Sequence, residues 1–129
     1  MTPRTTPEIL ETEWDILDVL WQLERATARQ VGEALAGKRG WAYSTVKTLL
    51  DRMVDKGLVA GRQIGNVWEY SASMPRHKAQ RRAWRRFVDV AFGGAMAPSL
   101  AFVARESKLT RQERAELRSL LEKMEKGDE

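Results

Sequence analysis

The sequence predicts a mainly α-helical protein, in which three helices and a two-stranded hairpin are followed by three more helices. Apolar residues recur at helical spacing in several stretches, and capping residues, glycine or proline bound each stretch. Two short β-like runs, residues 58–63 and 67–71, flank the pair Gly65-Asn66, which is typical of a hairpin turn. The 129 residues, 43% of them hydrophobic, are enough for one ordinary domain with its own core.

The first helix is predicted to begin at Thr6-Pro7-Glu8 and to end near Glu24-Arg25. Proline suits the first helical position, and an acidic residue there complements the positive end of the helix dipole. Apolar residues at helical spacing predict that one side of this helix is buried. They form two neighbouring stripes, Leu10, Trp14, Leu17 and Trp21 in one and Ile16, Leu20 and Leu23 in the other.

The second and third helices follow closely. Thr27 and Gln30 have the spacing of a capping box, which predicts the start of a short helix that stops at Gly37. The third helix is predicted to open at Ser44 or the residue before it and to end at Gly57. The apolar residues predicted to be buried in these two helices are Val31, Leu35, Val46, Leu49, Leu50, Met53 and Val54.

Helix signals continue after the hairpin: Met74-Pro75 begins a helix to about Phe92, Ala97-Pro98 another, and Thr110–Glu113 is a second capping box. The order helix, helix, helix, hairpin is that of a winged helix-turn-helix, predicted for residues 1–74. Residues 75–129 are predicted to be a helical dimerisation region, because their apolar stripes have no second partner in the chain. The residues expected at that interface are Trp84, Phe87, Val88, Leu117, Leu120, Leu121 and Met124.

Positive charge is concentrated in two places. The whole chain has 22 basic and 18 acidic residues, a net charge of +4. Residues 75–92 alone carry a net charge of +5, and residues 38–62 carry +4. This pattern favours a polyanionic partner near the third helix. The basic run Arg76–Arg86 is interpreted either as a contributor to salt-dependent affinity or as a set of partners for the acidic residues of the tail.

The polar side of the third helix predicts contact with double-stranded DNA. A helix fits the major groove, and residues on one face near its N-terminus reach the base edges. A solvated surface helix would show a similar pattern, so periodicity alone leaves both interpretations open. The candidate DNA-binding residues, in this helix and in the wing, are Tyr43, Ser44, Thr45, Lys47, Thr48, Arg52, Arg62 and Asn66.

Several function classes are excluded by composition. There is no cysteine, which excludes disulfides, thiolate metal sites and a cysteine nucleophile. The single histidine, His77, leaves almost nothing for a histidine-based metal site or triad. Ser44 and Lys47 match the Ser-x-x-Lys pattern of penicillin-binding enzymes, but no Ser-Asp-Asn or Lys-Thr-Gly follows. We therefore expect no enzyme activity, no metal and no cofactor. No signal peptide is visible, and the longest uncharged run, Val90–Ala104, has 15 residues, so we expect a cytoplasmic protein without membrane insertion.

The segment from Trp41 to Met53 resembles the penicillinase-repressor family of small winged-helix repressors. It reads Trp-Ala-Tyr-Ser-Thr-Val-Lys-Thr-Leu-Leu-Asp-Arg-Met. Further similar segments are Glu13-Trp14 with Trp21, residues 27–31 and residues 56–59, and the resemblance extends over residues 8–124.

The resemblance implies a homodimeric repressor on a palindromic operator, joined through its C-terminal helices. It also implies a membrane sensor peptidase as a partner, because such a peptidase commonly cleaves members in their C-terminal region. In the β-lactam-responsive members the cut falls at an Asn-Phe bond, and the aligned dipeptide here is Ala101-Phe102. The copper-responsive members carry a C-terminal cysteine cluster, which this chain lacks, so copper sensing by that route is excluded.

The competing hypothesis is a winged-helix module that binds another protein and has no sequence-specific affinity for DNA. The net charge of +4 between Lys38 and Arg62 argues against it, since a protein adaptor has little reason to keep such charge beside Thr45 and Thr48.

Overall fold

The computed structural model describes residues 8–127, which form six helices and three strands. Their order is α1 (Glu11–Leu23), β1 (Ala26–Thr27), α2 (Ala28–Ala34), α3 (Tyr43–Asp55), β2 (Val59–Ile64), β3 (Val67–Ala72), α4 (Arg76–Phe92), α5 (Met96–Glu106) and α6 (Arg111–Gly127). This order confirms the predicted mainly helical fold with a winged helix-turn-helix. The chain divides into two compact units, Met1–Arg86 and Phe87–Glu129. That division lies within α4. The sequence predicts a boundary between residues 74 and 75 instead, just before α4 begins.

Helix α1 begins later than the sequence predicts. Thr6 and Pro7 lie outside the described residues, and Glu8 precedes the helix, which starts at Glu11. The carboxylate of Glu13 accepts a hydrogen bond from the backbone N–H of Leu10, with 2.8 Å between Oε1 and N. This contact satisfies a donor that has no acceptor within the helix, so it fixes the helix start. The predicted start at Glu8 is therefore wrong.

Helix α1 supplies the centre of the core of the first unit. The outermost members of its two predicted stripes, Leu10 and Leu23, are about half exposed, so their predicted burial is wrong. Trp14 and Trp21 pack at the edge of the core with their ring centroids 6.1 Å apart, and Trp21 Nε1 donates to the backbone oxygen of Met74 at 2.9 Å. The largest apolar residues that are fully buried in this core are Ile16, Leu17, Leu20, Val31, Val46, Leu50, Met53 and Leu58.

Helices α2 and α3 form the helix-turn-helix. The predicted capping box of α2 is confirmed: Thr27 Oγ1 accepts from the N–H of Gln30 at 3.1 Å, and Gln30 Oε1 accepts from the N–H of Thr27 at 2.8 Å. Helix α3 begins at Tyr43, within the predicted range, and buries Val46, Leu50 and Met53. Its C-terminal end at Asp55 precedes the predicted stop at Gly57, whose φ of 77° lies in the left-handed region.

One predicted core residue of α3 is exposed. Val54 follows Lys47 and Asp51 at helical spacing, so it lies with these polar residues on the flank of α3 that faces the wing. The prediction that Val54 is buried is wrong for this reason.

The wing belongs to a three-stranded antiparallel sheet with the strand order β1-β3-β2. Strands β2 and β3 pair along their whole length and turn at Gly65, whose φ is 63°, so the predicted hairpin is confirmed. The sequence does not predict β1, because two residues are too few to show a strand pattern. In β1, Ala26 pairs with Tyr70 of β3, which connects the helix-turn-helix to the wing.

The second unit begins in the last turns of α4. Gly93 and Gly94 end that helix with φ values of 57° and 84°, a region that favours glycine, so the predicted break is confirmed. The ring centroids of Phe87 and Phe92 are 5.7 Å apart, as are those of Phe92 and Phe102. Helix α6 opens with the predicted capping box, and none of its residues is buried.

No single helix within residues 8–127 is long and apolar enough to cross a membrane. Helices α4 and α5 meet that test only as a pair, and they are bent by 93° at the break between them.

Candidate nucleic-acid interface

The solvent face of α3 carries most of the residues that the sequence predicts to contact DNA. Because one stripe of α3 packs into the core, the opposite side projects into solvent. Thr45, Thr48 and Arg52 follow one another at spacings of three and four, which puts them on one side of the helix. The exposed candidates that the structure brings together here are Tyr43, Ser44, Thr45, Thr48 and Arg52.

The start of α3 offers backbone donors. Ala42 precedes the helix and provides no side-chain cap, and its backbone oxygen accepts from the N–H groups of Thr45 and Val46 at 3.0 and 3.2 Å. The N–H groups of Tyr43 and Ser44 have no acceptor in the part of the chain that the structure describes. Free donors at the positive end of a helix dipole suit a phosphate oxygen.

Much of the positive charge between residues 38 and 62 is compensated within the molecule. The acidic partners come from α1, from α3 itself and from the wing, and two of them, Glu13 and Asp15, are buried. The charge count along the sequence therefore overstates the positive field around α3. The ion pairs are Lys38–Asp15 (2.8 Å), Arg39–Asp15 (2.7 Å), Arg39–Glu11 (3.8 Å), Lys47–Asp51 (2.9 Å), Lys56–Glu13 (2.7 Å) and Arg62–Glu69 (3.5 Å).

Arg52 differs from the other basic residues of this segment. Its side chain is exposed and forms no ion pair with any residue between 8 and 127. It lies one turn beyond Thr48 on the solvent face of α3. An uncompensated guanidinium in this place is suited to a phosphate oxygen.

Lys47 is also in α3, but it faces the wing. Its Nζ donates to the hydroxyl of Tyr70 at 2.5 Å and to Asp51 Oδ1 at 2.9 Å. The hydroxyl of Tyr70, followed by the carboxylate of Asp51, raises the pKa of Lys47 above its ordinary value. The structure therefore separates Lys47 from the exposed face that carries Thr45 and Thr48.

The wing presents few charges at its tip. Of the two predicted wing residues, Asn66 is exposed at the turn. The other, Arg62, forms an ion pair with Glu69. The side chains that flank the turn are apolar and about half exposed: Ile64, Val67 and Trp68.

A cleft of about 410 Å³ lies between the wing and the two helices of the helix-turn-helix. It brings together candidates that the sequence suggested, Tyr43, Lys47 and Asn66, with two residues that sequence reasoning missed, Arg29 and Trp68. Arg29 is highly exposed and makes an i,i+4 pair with Glu33 at 3.3 Å. Arg29 lies in the first turn of α2, directly after the Thr27 cap, and this position could have identified it as a candidate from the sequence.

The Arg76–Arg86 cluster is divided by its contacts. Arg76 Nη1 donates to Asp18 Oδ1 at 2.7 Å, and its Cζ lies 4.7 Å from the centroid of the Trp21 ring. Burial lowers the pKa of Arg82. Arg76 thus packs against α1, while Lys78, Arg81 and Arg85 are exposed.

Residues for metal binding or proton transfer are few in the part of the chain that the structure describes. Within residues 8–127 there is no group of three or more histidine and acidic residues placed to hold a metal ion. His77 is exposed. The Lys47 ammonium, which the Ser-x-x-Lys pattern would assign to proton transfer from Ser44, is bonded to Asp51 and Tyr70 instead.

The predicted dimerisation and cleavage residues lie on α4, α5 and α6. Trp84 is partly buried, Phe87 is about half exposed and Val88 is buried. Ala101 and Phe102 are exposed in the interior of α5, so a protease reaches the bond between them only if this helix unwinds locally. The predicted stripe of α6 is exposed over its whole length, in Leu117, Leu120, Leu121 and Met124.

Comparison with known proteins identifies relatives over nearly the whole chain. The sequence model of the Penicillinase repressor family matches residues 9–123. The methicillin resistance regulatory protein MecI of Mammaliicoccus sciuri is 27% identical over 119 residues, which cover 92% of this chain and 96% of that protein. A penicillinase repressor of Staphylococcus aureus is 23% identical, with 92% of this chain and 94% of that protein covered.

Solved structures show the same fold. The DNA-binding domain of the repressor BlaI has a TM-score of 0.50 and 23% identity, and the match covers 57% of this chain and 90% of that domain. The YusO protein of Bacillus subtilis has a TM-score of 0.50 and 16% identity, with 92% of this chain and 75% of that chain covered. Together with the exposed face of α3, the family match over residues 9–123 shows that this chain belongs to the penicillinase repressor family of DNA-binding transcriptional repressors.

Proposed function

We propose that this repressor binds a palindromic operator as a homodimer, with α3 of each protomer in the major groove. The observation that carries the proposal is the solvent face of α3, where Thr45, Thr48 and Arg52 project together without partners within the described residues. The major groove of B-DNA admits an α-helix, and Thr45 and Thr48 have short polar side chains that allow α3 to approach the base edges.

The residues of α3 would divide between base edges and phosphates. Thr45 and Thr48 lie in the first half of the helix, where the methyl group of threonine can contact a thymine methyl and its hydroxyl can bond to a base edge. Arg52, one turn later, is placed for a backbone phosphate. The hydroxyl of Tyr43 and the free N–H groups at the start of α3 supply further phosphate contacts that fix the register.

The wing and α2 would add contacts to the backbone on either side of the groove. Asn66 at the turn and Arg62 on β2 are candidates from the wing, although Arg62 must share its charge with Glu69. Arg29 at the start of α2 lines the same cleft as Tyr43 and Asn66, which makes it a further candidate for a phosphate.

The experiment that tests operator recognition is fluorescence anisotropy with DNA from upstream of the gene, at several salt concentrations and against scrambled competitor. We expect preference for the native fragment and an affinity that falls steeply as salt rises. Thr48→Ala should reduce the preference for the native fragment by about 1 kcal/mol. Thr48→Ser, which keeps the hydroxyl, separates the contribution of the methyl group. Equal and weak binding to both DNAs by the unaltered protein would reject operator recognition and favour the protein-interaction module.

The homodimer is supported by α6. This helix of 17 residues has no buried side chain, yet four large apolar residues recur along it at spacings of three, one and three. A solitary amphipathic helix with such a stripe is marginal in water, so a second copy of the chain is the expected cover. Two protomers then present two α3 helices to two half-sites, as a palindrome requires.

Relief of repression by proteolysis in the C-terminal arm is the final part of the proposal, with a membrane sensor peptidase as the expected protease. Cutting at Ala101-Phe102 would separate α6 from the DNA-binding unit and leave a protomer that reaches a single half-site. A fragment that ends at Ala101 should therefore lose tight operator binding, as measured by the same anisotropy titration. Undiminished affinity of that fragment would contradict this mechanism.

A further inference from the structure

We propose that Lys47 is a positioning residue, which holds the wing against the recognition helix α3 and does not itself contact DNA. This inference rests on the operator recognition proposed above, and it assigns Lys47 a role different from that of its neighbours Thr45 and Thr48. The geometry of Lys47, Asp51 and Tyr70 carries it.

The ammonium group of Lys47 already has two acceptors inside the molecule. Its Nζ lies 2.5 Å from the hydroxyl of Tyr70 and 2.9 Å from Asp51 Oδ1. About a third of the Lys47 side chain is exposed, whereas Tyr70 is 2% exposed. A group with this environment is part of the packing between α3 and the sheet, unlike Arg52, whose charge faces solvent alone.

Tyr70 is fixed in place by the sheet. It lies in the central strand β3, where its Cα pairs with Ala26 of β1 on one side and with Gly61 of β2 on the other. A Cβ atom added at Gly61 would lie 3.3 Å from Tyr70 Cε1, so the ring rests directly on that glycine. The hydroxyl thereby reaches across β2 towards α3, where Lys47 donates to it.

Movement of Lys47 to a DNA phosphate would leave two groups without their donor. The hydroxyl of Tyr70 would lose its bond from Nζ, and Asp51 would be left as an uncompensated carboxylate on the flank of α3. A carboxylate on α3 repels the phosphates, so the Lys47–Asp51 pair also keeps this flank of the helix neutral. The same two acceptors raise the pKa of Lys47 and keep it charged.

The link between Lys47 and Tyr70 has a consequence for recognition. It joins α3, which would read the major groove, to β3, which runs from the wing tip. When the link is intact, the side chains at the tip keep a fixed distance from Thr45 and Thr48. When it is broken, the wing moves more freely in the unbound protein. Binding must then restrict this motion, which weakens the complex.

The test compares Lys47→Met and Tyr70→Phe, alone and combined, with Arg52→Met as the matched loss of a charge on the exposed face of α3. Every Lys47→Met variant also carries Asp51→Asn, so that replacing the neutral Lys47–Asp51 pair leaves no uncompensated carboxylate. Operator affinity is measured by anisotropy over a range of salt. We expect Lys47→Met and Tyr70→Phe each to weaken binding by about tenfold, with the double variant no weaker than either. Their salt dependence should stay at the wild-type slope, whereas Arg52→Met should reduce it by about one unit.

A second measurement needs no DNA. Amide hydrogen exchange in β2 and β3 of the free protein should accelerate in Lys47→Met and in Tyr70→Phe, but not in Arg52→Met. Thermal melting of each variant shows that the chain remains folded. A reduced salt slope in Lys47→Met, with Tyr70→Phe unchanged, would make Lys47 a phosphate contact and overturn the inference.

The two proposals fail in different ways. If the unaltered protein shows no preference for operator DNA, operator recognition fails, and the exchange measurement still decides whether Lys47 holds the wing. Unchanged exchange in both Lys47→Met and Tyr70→Phe would reject the positioning role even if operator binding is confirmed.

Discussion

Asp15 connects the turn between α2 and α3 to helix α1. Its buried carboxylate accepts from Lys38 Nζ at 2.8 Å and from Arg39 Nε at 2.7 Å, so one acidic residue of α1 holds two consecutive residues of that turn. The hydrogen bond from Lys38 lowers the pKa of Asp15, desolvation opposes this shift, and the bond from Arg39 adds to it. The ionised form is thus the one that the folded protein stabilises.

This environment predicts how stability changes with acid. The folded-state pKa of Asp15 lies below its ordinary value of 3.8, so the ionised carboxylate contributes stability that is complete above that value. The contribution is lost as the pH falls below 3.8 through the folded-state pKa. Asp15→Asn should therefore lower the free energy of unfolding at pH 7 by about 2 kcal/mol, as measured by urea denaturation.

The difference between Asp15→Asn and the unaltered protein should shrink as the pH falls below 3.8. Asp18→Asn is the matched control, because Asp18 is half exposed and its pair with Arg76 should contribute less. A difference that stays constant down to a pH of about 2 would show that Asp15 stabilises the turn by packing alone.

At the residue scale, the sequence predicts which side of α3 faces solvent and does not predict which charges remain available there. Periodicity fixes Thr45, Thr48 and Arg52 on the outer face, since that face lies opposite an apolar stripe. Ion pairs such as Lys38–Asp15 and Lys56–Glu13 join residues 23 and 43 positions apart, and no local pattern reveals such partners.

At the scale of elements, local chemistry explains which predictions are confirmed. The α2 and α6 starts follow from reciprocal caps, and both partners of each cap lie within four residues of sequence. The start of α1 and the strand β1 depend on longer-range features. Glu13 defines the α1 start while it is itself held by Lys56, and β1 exists only because Ala26 pairs with Tyr70.

The packing of the wing predicts that position 61 does not tolerate a side chain. A methyl group there would meet Tyr70 Cε1 at 3.3 Å and Trp68 Cε3 at 3.5 Å, and the Tyr70 ring has little freedom to move because Lys47 holds its hydroxyl. Gly61→Ala should lower the free energy of unfolding by about 1 kcal/mol, as measured by urea denaturation.

Gly37→Ala is the control for this prediction. A Cβ atom at Gly37 meets nothing within 4 Å, and its backbone is outside the left-handed region, so the change should be neutral or slightly stabilising. Equal effects of the two substitutions would mean that the close contact between Gly61 and the Tyr70 ring does not constrain the wing.

At the scale of the whole molecule, the two units differ in how much core each contains. The first unit has a dense apolar core, and the outer face of its helix α3 is exposed. The second unit buries little beyond Val88 and Ser99, although it carries the apolar stripe of α6. A unit with so little core of its own is consistent with the proposed homodimer, since an interface would supply the missing burial.

The proposed dimer leads to a prediction whose control substitution lies on the same helix, α6. Leu120→Lys puts a charge into the exposed apolar stripe of α6, where Leu120 is 56% exposed, and it should convert the dimer to a monomer in analytical ultracentrifugation. Operator affinity should then fall by roughly 100-fold, because the two half-sites are no longer bound together. Ser119→Lys adds the same charge to the opposite face of the same helix and should leave both properties unchanged. A Leu120→Lys variant that remains a dimer would show that the stripe of α6 is not the interface, because an unpaired lysine in an apolar contact has no compensating partner.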